Sequence, residues 1–271
     1  MKFQSKYTAK TPNEQGLIHY TQEENAIWAL LFNRQMDIVK NRACNEFILG
    51  LASLEMSADH IPQCLEMNSA LKKTTGWRVK PVEAIIPADE FFSLLAERIF
   101  PAAAFIRSRD ELDYLQEPDI VHEFFGHCPM LTDTVYADFM QNYGKIALNA
   151  SETDREYLAR FYWFTVEFGL INTLNGLRIY GGGILSSKEE SIYSLESDIA
   201  QRKPLADGLE ALRTPYRIDI LQPIYYVINS YQEIYDIMQN DIIGLIHQAQ
   251  DLGDFAPIFE QVKPEQRDVK C

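Results

Sequence analysis

Cysteine is scarce and unpatterned. Cys44, Cys64, Cys128 and Cys271 form no C-x-x-C pair and no regular framework, which excludes a disulfide scaffold. Positive charge is also short: 25 Lys and Arg stand against 39 Asp and Glu, a net charge of −14. That field repels phosphate backbones and anionic bilayers, so neither a nucleic acid nor a membrane is expected as partner. Long apolar runs are missing too. AIWALLF (residues 26–32) and FPAAAFI (residues 100–106) fall far below the ~20 residues that span a bilayer. The opening MKFQSKYTAKTPNEQ lacks the apolar run of a signal peptide, so a reducing cytoplasm is the predicted address. With 12 prolines, 13 glycines and 46% hydrophobic residues, the remainder reads as a globular chain with a substantial core.

The periodicity is mainly helical with small β pieces, and no repeat or linker divides its middle. We expect an N-terminal extension over residues 1–20, one domain over 21–250 and a loose tail over 251–271. Thr21, three residues before Glu24, predicts a capping box opening a helix to about Lys40. Further helices are expected over 44–54, 61–72, 89–105 (bent at Pro101), 119–147 (broken at Pro129), 154–172, 188–200 and 230–248. TTGWRVKPVEAII (residues 74–86) and the stretch after Arg213 read as strands. Tyr180-Gly181-Gly182-Gly183 predicts a hairpin or a close backbone approach.

The informative stretch is DIVHEFFGH, residues 119–127. It resembles the zinc-peptidase pattern H-E-x-x-H with one residue too many. On an ideal helix His122 and His127 point about 140° apart, whereas an i, i+4 pair differs by about 40°. An undistorted helix therefore does not bring both rings to one ion, and Gly126 and Pro129 mark where the segment has to deform. The changed register also removes Glu123 from the position of a peptidase general base. With five histidines in the chain, this pair by itself leaves a metal site and a structurally satisfied pair both open.

The best third donor is Glu167, the lone acid in an otherwise apolar and aromatic run around FYWFTVEFGL. A buried carboxylate of that kind needs a cation, whereas on the wet face of a helix it needs none. Two imidazoles and a carboxylate suit non-haem ferrous iron, and His2Glu zinc competes on the same ligands. Arg107 can clamp a carboxylate bidentately, or it can pair with Asp110 or Glu111. Ser186 and Ser187 can offer hydroxyls, and Tyr162 and Trp163 can line an aromatic pocket or simply pack.

In this order, TGWRVKPVEAII, EPDIVHEFFGHCPML, FYWFTVEFGL and YGGGILSS resemble the catalytic domain of the pterin-dependent aromatic amino acid hydroxylases, in particular their bacterial phenylalanine-hydroxylating branch. The likeness spans roughly residues 20–235. It implies a mostly helical, basket-like fold and a mononuclear Fe(2+) on His122, His127 and Glu167. The implied substrates are L-phenylalanine, O2 and tetrahydrobiopterin or a related tetrahydropterin, and the product is L-tyrosine. It further implies Arg107 on the substrate carboxylate, Ser186 on its backbone, Trp163 and Tyr162 at the side-chain pocket, and Glu190 supporting orientation. Phe91 stacks on the pterin and Glu123 lies near it.

Two departures limit the transfer. Leu115 stands where animal relatives carry a threonine, and no C-terminal heptad series supports a helical tetramer, so a monomer or small homo-oligomer is expected. The rival readings are a zinc hydrolase on the same three ligands, with Glu123 activating water, and a noncatalytic metal-binding protein.

Overall fold

The computed structural model describes residues 7–83, 86–113, 115 and 117–259. Helix α1 (Gln22–Val39) opens with the predicted capping box: the Thr21 hydroxyl accepts from the Glu24 N–H, and the Glu24 carboxylate accepts from the Thr21 N–H. Helices α2 (Asn45–Ser53) and α3 (Cys64–Thr74) follow close to expectation. Strand β1 (Arg78–Val82) lies in the predicted β stretch, whose residues 84–85 are outside the described set.

The helix expected over 89–105 is corrected. Helix α4 (Ala88–Ala96) stops short, and Ile99–Ala103 forms strand β2. At the junction Arg98 sits at φ 58°, held there by hydrogen bonds from its guanidinium to the Thr75 carbonyl and Gln141. That left-handed residue ends the helix. It turns the chain so that β2 pairs in parallel with β1, and α4 serves as the crossover that parallel strands require.

Residues 119–149 are not one broken helix. Val121–His127 is a π-helical segment, Cys128–Thr132 a 3-10 turn, and Thr134–Asn149 helix α5, capped by Asp133. Helix α6 (Glu152–Tyr162) likewise passes into a π-helical segment, Trp163–Glu167. The chain then enters β3 (Leu170–Thr173), which forms a hairpin with β4 (Gly176–Ile179). The hairpin therefore turns before the triple glycine, and Gly182–Leu185 is a single turn of helix, α7.

After α8 (Lys188–Glu196) come β5 (Gln201–Pro204), α9 (Leu209–Arg213) and β6 (Ile224–Ile228). The second sheet has the order β4-β3-β6-β5, with β6 parallel to both neighbours. The helix expected over 230–248 is two, α10 (Tyr231–Gln239) and α11 (Ile242–Leu252), because Asp241 breaks the run and caps the second by accepting from the Gly244 N–H.

Helix α5 packs between α4 and α10. Around it lies a core rich in aromatics, with Trp28, Trp77, Phe47, Phe125 and Tyr136 fully buried. Ile18 and Tyr20, ahead of α1, are buried in this core, and Asp254, after α11, pairs with Arg160 at 2.6 Å. Among the described residues no helix is long and apolar enough to cross a membrane.

Candidate metal centre

The π-helical turn answers the geometric objection raised by the histidine spacing. Its hydrogen bonds run to the fifth residue back, and the Cys128 N–H closes the segment on the Glu123 carbonyl. Widening the helix in this way puts residues five apart on one face. Phe125 anchors the opposite face, edge-on to Phe32 and Phe47 with ring centres 5.5 Å away in each case. His122 Nε2 and His127 Nε2 then meet at 2.9 Å.

The second π-helical segment closes in the same manner, with the Phe168 N–H on the Trp163 carbonyl. It delivers Glu167, whose carboxylate oxygens lie 3.3 Å from His127 Nε2 and 3.7 Å from His122 Nε2. The wet-face reading of Glu167 is thereby corrected. The neighbouring Phe164 is buried, and the acid points inward at the imidazoles.

The triple glycine closes the third side. A Cβ at Gly182 would stand 2.4 Å from ring atoms of His127, so only glycine lets this backbone lie against the imidazole. Four residues on, the Ser186 hydroxyl donates to the Gly182 carbonyl at 2.9 Å and lies 3.0 Å from His122 Nδ1. Since its proton is committed, the hydroxyl accepts from Nδ1–H. That assigns the tautomer of His122 and leaves Nε2 a lone pair facing Glu167 and His127.

Donors spaced 2.9–3.7 Å apart fit around one ion. Bonds of about 2.0–2.2 Å at roughly 90–110° separate ligands by about 2.9–3.6 Å. Electrostatics agrees with the spacing. Burial lowers His122 to about 4, holding it neutral. Glu167 is also opposed by burial, yet His127, whose own pKa the carboxylate raises, holds it below its usual value and keeps it ionised. His127 Nδ1 is buried without a hydrogen-bond partner among the described residues.

A second carboxylate, Glu123, also comes within 4.8 Å of donor atoms of both histidines. We rank Glu167 above it as a ligand. Burial pushes Glu123 up to about 8 and so keeps it protonated at neutral pH, whereas Glu167 is ionised and places both oxygens at the ring nitrogens.

This cluster lies on the wall of a cavity of about 450 Å³, a size suited to a small molecule. Of the residues expected around a substrate, Arg107, Trp163, Ser186 and Glu190 line it, as does Leu115. Arg107 pairs with neither Asp110 nor Glu111. It holds Asp119 bidentately, at 2.8 and 2.9 Å, and Asp119 also accepts from the His122 N–H. Asp119 thus ties the cavity's buried cation to the first π-helical segment. Its sequence signal is that of an N-cap acid, three residues before His122.

Trp163 packs against Phe168, tilted by 32°, and stacks on Tyr216, with ring centres at 4.3 and 4.6 Å. Tyr162 does not join it on the cavity wall; it packs instead against Phe91 and Tyr143. Glu190 accepts from the Gln222 N–H and from the Tyr225 hydroxyl, and burial raises its pKa. A separate cavity of about 360 Å³ near α10 and α11 is lined by Asp207, Glu233, Asp236 and Asp241, and neither a histidine nor a cation lines it.

Residues 2–249 match the family model described as biopterin-dependent aromatic amino acid hydroxylase. The phenylalanine-4-hydroxylase of Pseudomonas aeruginosa is 49% identical over 255 residues, which are 94% of this chain and 97% of that one. A solved phenylalanine hydroxylase from Legionella pneumophila superposes with a TM-score of 0.91 at 53% identity, over 93% of this chain and all of the other. The Chromobacterium violaceum enzyme, solved with oxidised Fe(III) bound, gives 0.85 at 43% identity over 92% of each chain.

Proposed function

The chain belongs to the biopterin-dependent aromatic amino acid hydroxylases, and from that premise we propose a role for each side chain of its site. The reaction is the 4-hydroxylation of L-phenylalanine to L-tyrosine with O2 and a tetrahydropterin, at a mononuclear non-haem iron. The observation that carries the site assignment is the convergence of His122, His127 and Glu167 beside a cavity of substrate size. Two imidazole nitrogens and one carboxylate form the set that leaves several positions of a ferrous ion open. When bound, the iron together with the reduced pterin supplies the oxygen-activating chemistry.

The protein's own part is placement. Ser186 fixes His122 with its lone pair toward the ion. Asp119 stiffens Arg107 as a planar fork on the cavity wall, where the guanidinium receives the substrate carboxylate. Trp163, packed against Phe168 and Tyr216, bounds the space for the phenyl ring. Phe91 and Tyr162 offer an aromatic surface apart from that wall, which suits stacking of the flat pterin. Glu123, held neutral, is a hydrogen-bond donor toward the pterin rather than a general base. Excluding water around these groups keeps the oxidation productive. A cytoplasmic location is consistent with the three buried, free cysteines.

Anaerobic reconstitution with ferrous iron, followed by O2, a tetrahydropterin and each aromatic amino acid in turn, tests this reading. Tyrosine is expected only from the complete phenylalanine reaction. A folded, iron-loaded protein that forms none would refute it, and hydrolytic turnover of the zinc-loaded protein without reductant would restore the hydrolase alternative.

A further inference from the structure

Gln222 is almost completely buried, yet it belongs to none of the groups assigned above. Its side-chain nitrogen donates to two carbonyls, Arg217 and Ile220, each at 2.8 Å. With both N–H groups committed there, its amide oxygen must face the other way, where it accepts from the Trp163 indole N–H at 3.1 Å. Its backbone N–H donates to the Glu190 carboxylate at 3.0 Å.

One residue therefore touches the aromatic wall of the cavity, its buried acid and the segment forming its rim. Within that segment Ile218 lines the cavity while being 65% exposed. Tyr216, stacked on Trp163, and Phe168, tilted against it by 32°, constrain the tilt of the indole, but such face contacts leave sliding and rotation in the ring plane weakly opposed. The bond from the indole N–H is directional and restrains those motions.

We propose that Gln222 is a positioning residue that sets the fit of the substrate's aromatic ring, by locking Trp163 in its plane and tying the cavity rim to it. The inference rests on the placement of Trp163 beside that ring. Gln222 touches neither substrate nor iron in this account, so its effect falls on substrate binding and on selectivity among aromatic amino acids. A shape-defining contact of this kind discriminates substrates by modest factors.

The test uses the iron-loaded enzyme and steady-state kinetics with phenylalanine and tryptophan. Gln222→Met keeps length and apolar volume while removing every side-chain hydrogen bond. It is expected to raise KM for phenylalanine about tenfold, to leave kcat within about threefold, and to reduce the phenylalanine-over-tryptophan preference about tenfold. Gln222→Glu, protonated in this buried site, retains an acceptor for the indole and one donor for the rim carbonyls, and should keep that preference within about threefold of the parent. In a Trp163→Phe background, which has no indole N–H, Gln222→Met should change the preference little further.

A fall in kcat at constant KM and constant preference would mark a residue that only supports folding, and would overturn the proposal. So would equal loss of preference in the Met and Glu variants. Should Gln222→Met not fold, the Glu variant decides by itself: a retained preference supports the link and a lost one overturns it. If Trp163→Phe alone changes neither KM nor preference, the placement of Trp163 at the ring is what fails, with the Gln222 result read separately.

Discussion

The two π-helical segments, Val121–His127 and Trp163–Glu167, each carry a buried carboxyl group toward the same pair of imidazoles, and the two groups end in opposite states. Glu123 is pushed up to about 8, and Glu167 is held below its usual value. Burial opposes ionisation of both, so burial cannot separate them. The difference lies in what each oxygen faces. Glu167 reaches across from another segment to both Nε2 atoms, while Glu123 makes no ion pair with either imidazole among the described residues, and burial outweighs the lowering field of His127. Adjacency in the chain thus counts for less than the direction of approach in space.

The sharpest way to break this comparison is to exchange the two losses. Glu167→Ala should lower iron affinity by more than the ~10–100-fold typical of removing a supporting partner, and abolish turnover. Glu123→Gln should leave iron affinity within about threefold. Competition with a chelator measures both, and equal losses would mean that the wrong carboxylate has been assigned. Next in size, Ser186→Ala removes the acceptor that fixes His122 and should weaken iron binding by about 10–100-fold, with little change in the melting temperature of the metal-free protein. Unchanged affinity there would show that the tautomer is set by something else.

Gly182→Ala forces a methyl group into the His127 ring and should cost about 1–3 kcal/mol, read as a lower midpoint in urea. A variant as stable as the parent would mean that the backbone yields at no cost. The smallest effect concerns pH in the chelator-treated protein. Folding raises Glu123 from 4.5 to about 8, so between those values the folded chain holds a proton that the unfolded chain has lost. This group's contribution to stability therefore falls as pH rises through that window and levels off above about 8. Glu123→Gln should remove that part of the slope between pH 5.5 and 8.5. Parallel profiles for the two proteins would show that Glu123 is not held neutral.

Much of the architecture was legible in the residues. The capping box at Thr21, the breaks around Pro129 and the strand at Arg78–Val82 all follow from local chemistry. The helix wrongly extended over 89–105 looked sound because Phe91, Leu95 and Ile99 keep helical spacing. Only the anchoring of the Arg98 side chain on Thr75 and Gln141, far away in sequence, reveals why the chain turns there. The family likeness put Tyr162 with Trp163 at the side-chain pocket, but adjacent residues of a helix point about 100° apart, and Tyr162 packs on Phe91 and Tyr143 while Trp163 lines the cavity.

The chain by itself determined the cast: two histidines at a spacing unsuited to an α-helix, one acid in an aromatic run, a glycine triplet, and a family likeness that links them. Those are matters of residue type and order. The tertiary structure decided which groups meet, because hydrogen bonds to Ser186, Asp119 and Gln222 join residues 12 to 64 positions apart. It also decided which acid carries charge, because ionisation in a buried site depends on the field of facing groups, and a one-dimensional reading contains no facing groups.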